Sequence, residues 1–303
     1  VIHCFDTRSL NLILLTSSTK GIPVVMNKCG GPNPDRKNYQ HSDATVVFSF
    51  ENLNWYLESK YYDNESIFCI PNRVRQLNLP AENVDIEKAD SDKITFLRVS
   101  RLGGVYEMTL LQTFKLLDKL KEFLNVELIV VGRVQNEDRF SFLKSEAEKM
   151  DFNVRFITDE RASKGADFLN LADFVIGTGR SFMEATSLGI PTLTPAKNTS
   201  IPILVTAENV DNFLRTNFSE RNIASDHDEK NTIEDIIKLT SSEIHYSKFQ
   251  TITRGLFKEY FGTEKINEKY TEVYKFAINK SLSRTKLLFE NFPYLVRFIL
   301  VGK

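Results

Sequence analysis

The stretch DFVIGTGRSFMEATSLGIPTL, residues 173–193, decides the fold. An apolar run, Phe174-Val175-Ile176, leads straight into Gly177-Thr178-Gly179-Arg180 and then into residues that favour a helix. A strand that ends in a glycine turn and enters a helix presents free backbone N–H groups and the positive end of the helix dipole, a ready site for phosphate. Arg180 adds a cation with forked donor geometry. A second reading is equally concrete. Ser181-x-x-Glu184 matches a capping box, in which two side chains satisfy backbone donors at a helix start, and the glycines would then simply turn the chain.

Working outward, the same rhythm repeats. Short β-branched runs read as buried strands at Ile22–Met26, Ala44–Phe48, Ile67–Ile70, Ile94–Leu97, Val126–Val131, Asn153–Ile157 and Phe174–Ile176. Between many of them lie stretches of helical period. The clearest places Leu110, Leu111, Phe114, Leu117 and Leu120 on one apolar face, and another lines up Phe140, Leu143 and Ala147. Strand, helix, strand in this order predicts an α/β fold with parallel sheets covered on both faces, whose ligands bind at the carboxyl ends of the strands. Gly177 to Arg180 fall at such an end. The polar, acidic stretch of residues 77–93 reads as a linker, and the pattern after Thr232 turns helical.

The chain has 303 residues, enough for two ordinary domains. Its 39 basic and 40 acidic side chains nearly cancel, which argues against nucleic acid as a partner. Cys4, Cys29 and Cys69 form neither a disulfide framework nor a zinc spacing, and a reducing compartment fits them. His3, His41, His227 and His245 are scattered, and no metal site is expected. The sequence opens at Val1 inside an apparent strand and reads as a fragment without its true N-terminus, so a signal peptide stays open. No apolar run is long enough to span a bilayer. The last residues, KSLSRTKLLFENFPYLVRFILVGK, are basic and apolar together. They would lie on an anionic membrane surface, or form a final helix packed on the domain and broken at Pro293.

Read in order, VSRLGG, LIVVGR, VRFIT, LADFVIG, SFMEATSLGIPTL and FKEYFGTEKINEKYTEVY resemble the nucleotide-sugar-binding half of GT-B glycosyltransferases, specifically glycosyltransferase family four. VIHCFD, GIPVVMNKCGG and CIPNRV resemble the later strands of that family's first domain. The resemblance implies two Rossmann-like domains with parallel sheets, the first incomplete. The expected boundaries are residues 1–88 for a partial acceptor-side domain, 89–262 for the nucleotide-sugar domain, and 263–303 for helices packing back toward the first.

The implied activity is transfer of a sugar from a nucleotide-diphosphate donor to a glycan or lipid-linked acceptor, in bacterial surface polysaccharide synthesis, with a retaining outcome and no metal. The donor is a substrate, and no cofactor is implied. A cytoplasmic enzyme is expected, at the inner face of the membrane if the tail contacts lipid. Arg101 stands where the family places a diphosphate-binding arginine. The lysine usually found five positions later is Tyr106 here, and Arg180 would substitute for it. Glu184 matches the glutamate that holds the ribose, while a second glutamate eight residues earlier is replaced by Ile176. Gly132, Arg133, Thr158, Gly179 and Ser181 complete the donor-side candidates. Gly30, Gly31, Asn33 and Glu51 are the acceptor-side candidates, with Cys29 where the family often has a histidine. No catalytic residue is assigned. Two alternatives remain: a nucleotide-sugar epimerase of the same fold, and a non-catalytic glycosyltransferase-like partner, the latter motivated by Tyr106 and Cys29.

Overall fold

The computed structural model describes residues 1–34, 39–79, 92–104, 106–264, 266–280 and 282–301. The chain forms two compact units, one of residues 1–72 with 263–303 and one of residues 73–262. The boundary expected at residue 88, and most of the linker expected around it, lie outside the described residues. Of that linker, Leu77 and Leu79 are partly buried against the second unit, and the Leu77 N–H donates to Ser187 Oγ.

In chain order the first unit contributes β1 (Ile2–Cys4), α1 (Thr7–Lys20), β2 (Val24–Lys28), β3 (Ala44–Val47), α2 (Phe50–Glu58) and β4 (Ile67–Cys69). The second contributes β5 (Ile94–Val99), α3 (Tyr106–Leu120), β6 (Val126–Val131), α4 (Glu137–Ala147) and β7 (Asn153–Ile157). A 3₁₀ stretch, Glu160–Leu171, then leads to β8 (Phe174–Ile176), α5 (Arg180–Leu188), β9 (Thr192–Thr194), β10 (Ile203–Leu204), α6 (Val210–Leu214), α7 (Asp228–Thr240) and α8 (Glu243–Leu256). The chain returns to the first unit as α9 (Ile266–Asn279) and α10 (Arg284–Val301).

The first unit has a parallel four-stranded sheet in the order β1-β2-β3-β4. One face packs Val24 and Met26 against Leu10 and Leu14 of α1 and Leu287 and Leu295 of α10. The other packs Val25, Ala44 and Val46 against Val273 and Ala277 of α9. This alternation is the period-two pattern of a sheet buried on both sides. Asp43 ties the C-terminal helices down: its carboxylate accepts from Val24 N–H and Leu282 N–H, each at 2.7 Å, and pairs with the forked Arg284 guanidinium. Asn291 of α10 accepts from the His41 N–H and donates to the His41 carbonyl. The break expected at Pro293 does not occur, and α10 runs through it. Anchors on both sides, Leu287 and Asn291 before the proline and Leu295 after it, hold the helix across the lost backbone bond. Among the described residues, no helix is long and apolar enough to cross a membrane.

His3 and His41 sit in this unit with pKa values lowered by burial; for His41 burial outweighs the Glu290 carboxylate 3.2 Å away. A histidine with a folded pKa below its unfolded value contributes stability above about pH 6.5 that is lost as pH falls through the folded value. The urea midpoint is therefore expected to fall between pH 7.5 and 5.5, and to fall less in His41→Asn. An unchanged midpoint over that range would contradict the burial of these rings.

The second unit has a six-stranded sheet in the order β10-β9-β8-β5-β6-β7, parallel except for the β9–β10 pair. β9 and β10, of three and two residues, carry too short a pattern to read from sequence. One face buries Phe96, Leu128, Val130 and Phe174 against Leu110, Phe114, Leu117 and Leu120 of α3 and Phe140 and Leu143 of α4. The other buries Leu97, Ile129, Val131 and Val175 against Ala185 of α5 and the 3₁₀ stretch. β5 to β7 build outward in one direction. The chain then returns to place β8 on the other side of β5, and β9 continues the opposite way. The strand order thus reverses between β5 and β8, the position where open α/β sheets bind ligands.

Candidate functional site

Two loops meet this reversal at the carboxyl ends of β5 and β8, whose Arg98 and Ile176 are paired in register. Gly177 leaves β8 because nothing larger fits: a Cβ there would lie 2.7 Å from the Phe182 backbone nitrogen. Gly179 then caps α5 with a φ of 50°, and no side chain caps the helix. The capping box that Ser181 and Glu184 offered as the second reading does not form. Ser181 lies one residue inside the helix, exchanging hydrogen bonds with the Thr178 backbone. Glu184 accepts from Arg180 Nε at 2.6 Å. Among the described residues no protein acceptor meets the N–H groups of Arg180, Ser181 or Phe182.

The charge placement opposes what helix stability favours. A cation in the first turn faces the positive end of the dipole, and an arginine four residues before a glutamate is the weaker orientation of an ion pair. Arg180 is nonetheless 79% exposed there, while Glu184 is nearly buried. Together the free N–H groups and the outward nitrogens of the Glu184-paired guanidinium offer donors that an anion at the helix start would meet.

Strained backbone holds the turn in place. Asn217 and Phe218 both have left-handed φ values, 57° and 53°, rare for non-glycine residues. The Phe218 carbonyl accepts from the Gly179 N–H at 3.0 Å. The Phe218 ring stacks on Phe182 at 4.1 Å and meets Phe261 edge-on at 5.1 Å, and this packing holds the conformation.

On the β5 side, Arg101 is exposed and its Nη2 donates to the Tyr106 hydroxyl at 2.7 Å, with the guanidinium 4.9 Å from the ring centroid. The residue that replaces the expected lysine is therefore the one that orients Arg101. Gly103 and Gly104 turn the loop with φ of 120° and 61°. Gly132, after β6, has a packing explanation: a Cβ there would lie 1.7 Å from the Ser100 carbonyl oxygen. Arg133 is exposed, and its carbonyl accepts from the Leu102 N–H. Thr158 is half-buried just beyond β7, two strands from the reversal.

In the first unit, Gly30 and Gly31 have φ of 75° and 80° at the carboxyl end of β2. Lys28 Nζ donates to the carbonyls of Gly30 and Pro32, and Asn52 Nδ2 donates to Asn33 Oδ1 at 2.9 Å. The turn is thereby tied to the start of α2, where Glu51 lies half-buried beside Asn52. Cys29 Sγ donates to the Phe5 carbonyl. The structure brings Gly30, Gly31, Asn33 and the first turn of α2 together.

Sequence reading missed three residues here: Tyr106 as the partner of Arg101, Phe218 as the brace of Gly179, and Arg98, a fully buried arginine within β5. Only Arg98 carried a signal, a cation inside the apolar run ITFLRV.

No family model matches this sequence, and no curated protein does. Solved structures do match in three dimensions. A glycosyltransferase from Rickettsia africae is similar with a TM-score of 0.65 at 17% identity, over 92% of this chain and 77% of that one. HepE from Anabaena, solved with UDP and glucose, gives 0.63 at 14% identity, over 90% and 77%. A Listeria monocytogenes structure described as a UDP-N-acetylglucosamine 2-epimerase gives 0.52 at 12%, over 93% and 75%. At these identities the likeness is one of architecture: the chain has the α/β GT-B fold, with two Rossmann-like units and parallel-dominated sheets.

Proposed function

We propose that the second unit binds the diphosphate of a nucleotide sugar and that the protein transfers the sugar to a glycan or lipid-linked acceptor, as a retaining, metal-independent enzyme of glycosyltransferase family four. One observation carries this reading: the strand order reverses between β5 and β8, and the loop bearing Arg101 follows β5 while the free N–H groups of α5 and Arg180 follow β8. Sugar transfer develops negative charge on the departing phosphate, and preorganised donors stabilise it without a covalent step by the protein. Arg180, fixed through Nε by Glu184, turns the rest of its guanidinium to the phosphates; Glu184 also sets the ribose. Gly179 and Ser181 supply the backbone entrance of the helix, and Arg133 and Thr158 stand at the neighbouring strand ends. Gly30, Gly31, Asn33 and Glu51 meet the acceptor. Bacterial surface polysaccharide is the pathway that fits, with the enzyme in the cytoplasm and its basic, apolar α10 touching the membrane's inner face.

Calorimetry with UDP and GDP tests the reading. One of them is expected to bind, and Arg101→Ala and Arg180→Ala each to weaken it about tenfold, the scale of one charge-assisted contact. A folded protein that binds neither would favour the non-catalytic alternative. The Listeria neighbour motivates the epimerase alternative. Incubation with UDP-N-acetylglucosamine followed by NMR separates the two, since transfer or hydrolysis releases UDP and epimerisation leaves the sugar attached.

A further inference from the structure

Arg98 lies in the middle of the second unit's sheet and is 1% exposed. Its Nη2 donates to Thr109 Oγ1, while among the described residues the buried Nε and Nη1 have no hydrogen-bond partner. Among the described residues no carboxylate pairs with it. Glu107, the acidic residue of the adjoining turn, is held by Arg139. Burial lowers the guanidinium's pKa to about 10, which leaves it charged at neutral pH. Buried charges are otherwise paired, and an unpaired one is costly. A buried water would satisfy the idle N–H groups but would not supply the missing charge.

The position gives this imbalance a purpose. Arg98 precedes by three residues the exposed Arg101, and both grip the same turn. Arg101 donates to the Tyr106 hydroxyl, Thr109 Oγ1 donates to the Tyr106 carbonyl, and Arg98 holds Thr109 from below. Ser100 Oγ, further along the same strand end, is also buried without a partner among the described residues. The first turn of α3 is thus clamped between an exposed and a buried cation, beside the strand-order reversal.

We propose that Arg98 is a positioning cation for an anionic ligand: its charge, uncompensated among the described residues, lies beneath the β5 loop, and the diphosphate bound above it is its counter-charge. This rests on the nucleotide-diphosphate reading given above. The buried charge destabilises the empty protein and is relieved when the anion arrives. It also fills electrostatically the place left by Tyr106, where a second surface cation is expected.

The test compares wild type with Arg98→Met, which removes the charge, and Arg98→Lys, which keeps it. Melting is followed without ligand, and affinity is measured for whichever of UDP or GDP binds and for its monophosphate. Arg98→Met should melt at or above the wild-type temperature when empty. It should bind the diphosphate about tenfold more weakly, with a smaller loss for the monophosphate, and Arg98→Lys should recover most of the affinity. A purely structural arginine would instead lower the empty protein's melting temperature and leave the affinity of the folded protein unchanged, which overturns the proposal. If Arg98→Met does not fold, Arg98→Gln, neutral but able to donate to Thr109, carries the same comparison. Melting with inorganic pyrophosphate separates the two readings. If wild type binds no nucleoside diphosphate yet is stabilised by pyrophosphate through Arg98, the anion role stands and the nucleotide reading fails. Stabilisation by neither overturns both.

Discussion

Gly132→Ala is expected to destabilise the second unit by about 4 kcal/mol or more, among the largest effects a single methyl can have. The reason is the close approach of two backbones. The new Cβ would lie 1.7 Å from the Ser100 carbonyl oxygen and 2.8 Å from its carbon, and neither can swing away like a flexible side chain. Relief requires β5 and β6 to separate where their ends are held by the Ser100 N–H to Val131 carbonyl bond. Because the Ser100–Gly104 loop follows, a partly folded variant should also lose nucleotide affinity. Gly255→Ala is the matched control. It lies within α8 with no atom near a built Cβ, and alanine there should stabilise by about 1 kcal/mol through helix propensity. Thermal melts of the two variants check the pair. A Gly132→Ala protein that melts with wild type would show that the spacing at the carboxyl end of β5 is wrong.

Asp43→Ala is expected to cost about 3–5 kcal/mol, the usual price of stripping one partner from a buried ion pair. Asp43 is fully buried, and Arg284 is largely so. The substitution leaves Arg284 without its carboxylate and removes the acceptor of the Val24 and Leu282 N–H groups. Since Asp43 joins the start of β2 to the segment that opens α10, the C-terminal helix should loosen first. Chemical denaturation gives the magnitude, and limited proteolysis should cut ahead of α10 in the variant before any other site. Cleavage no faster than in wild type would mean that the Asn291–His41 bonds and the apolar contacts of Leu287 and Leu295 suffice to hold α10.

Much of the architecture was legible because its signals are local. Seven of the strands were visible as β-branched runs, and the α3 and α4 faces were visible from Leu110, Leu111, Phe114, Leu117, Leu120, Phe140, Leu143 and Ala147, all buried except Leu111, which is partly buried. Pro293 misled because a proline's cost is local, whereas the anchors that carry α10 through it come from His41 and α1, some 250 residues away in sequence. The capping box misled for a similar reason. Ser181-x-x-Glu184 has the right spacing, but the helix starts two residues earlier, at a glycine positioned by the Phe218 carbonyl.

By itself the sequence determined the alternation of strand and helix, the two-unit α/β class and the glycine turn into α5, because period, β-branching and glycine act within a few residues. Only the tertiary structure decided which strand ends adjoin, that Tyr106 orients Arg101, that Glu184 fixes Arg180, and that Arg98 is buried with no counter-charge among the described residues. Which strand ends adjoin depends on pairing between segments distant in the chain, and no local pattern encodes where a β5 neighbour will be found. The partners of Arg101, Arg180 and Arg98 lie only five, four and eleven residues away, but their meeting depends on how the turns and helices are set against that sheet.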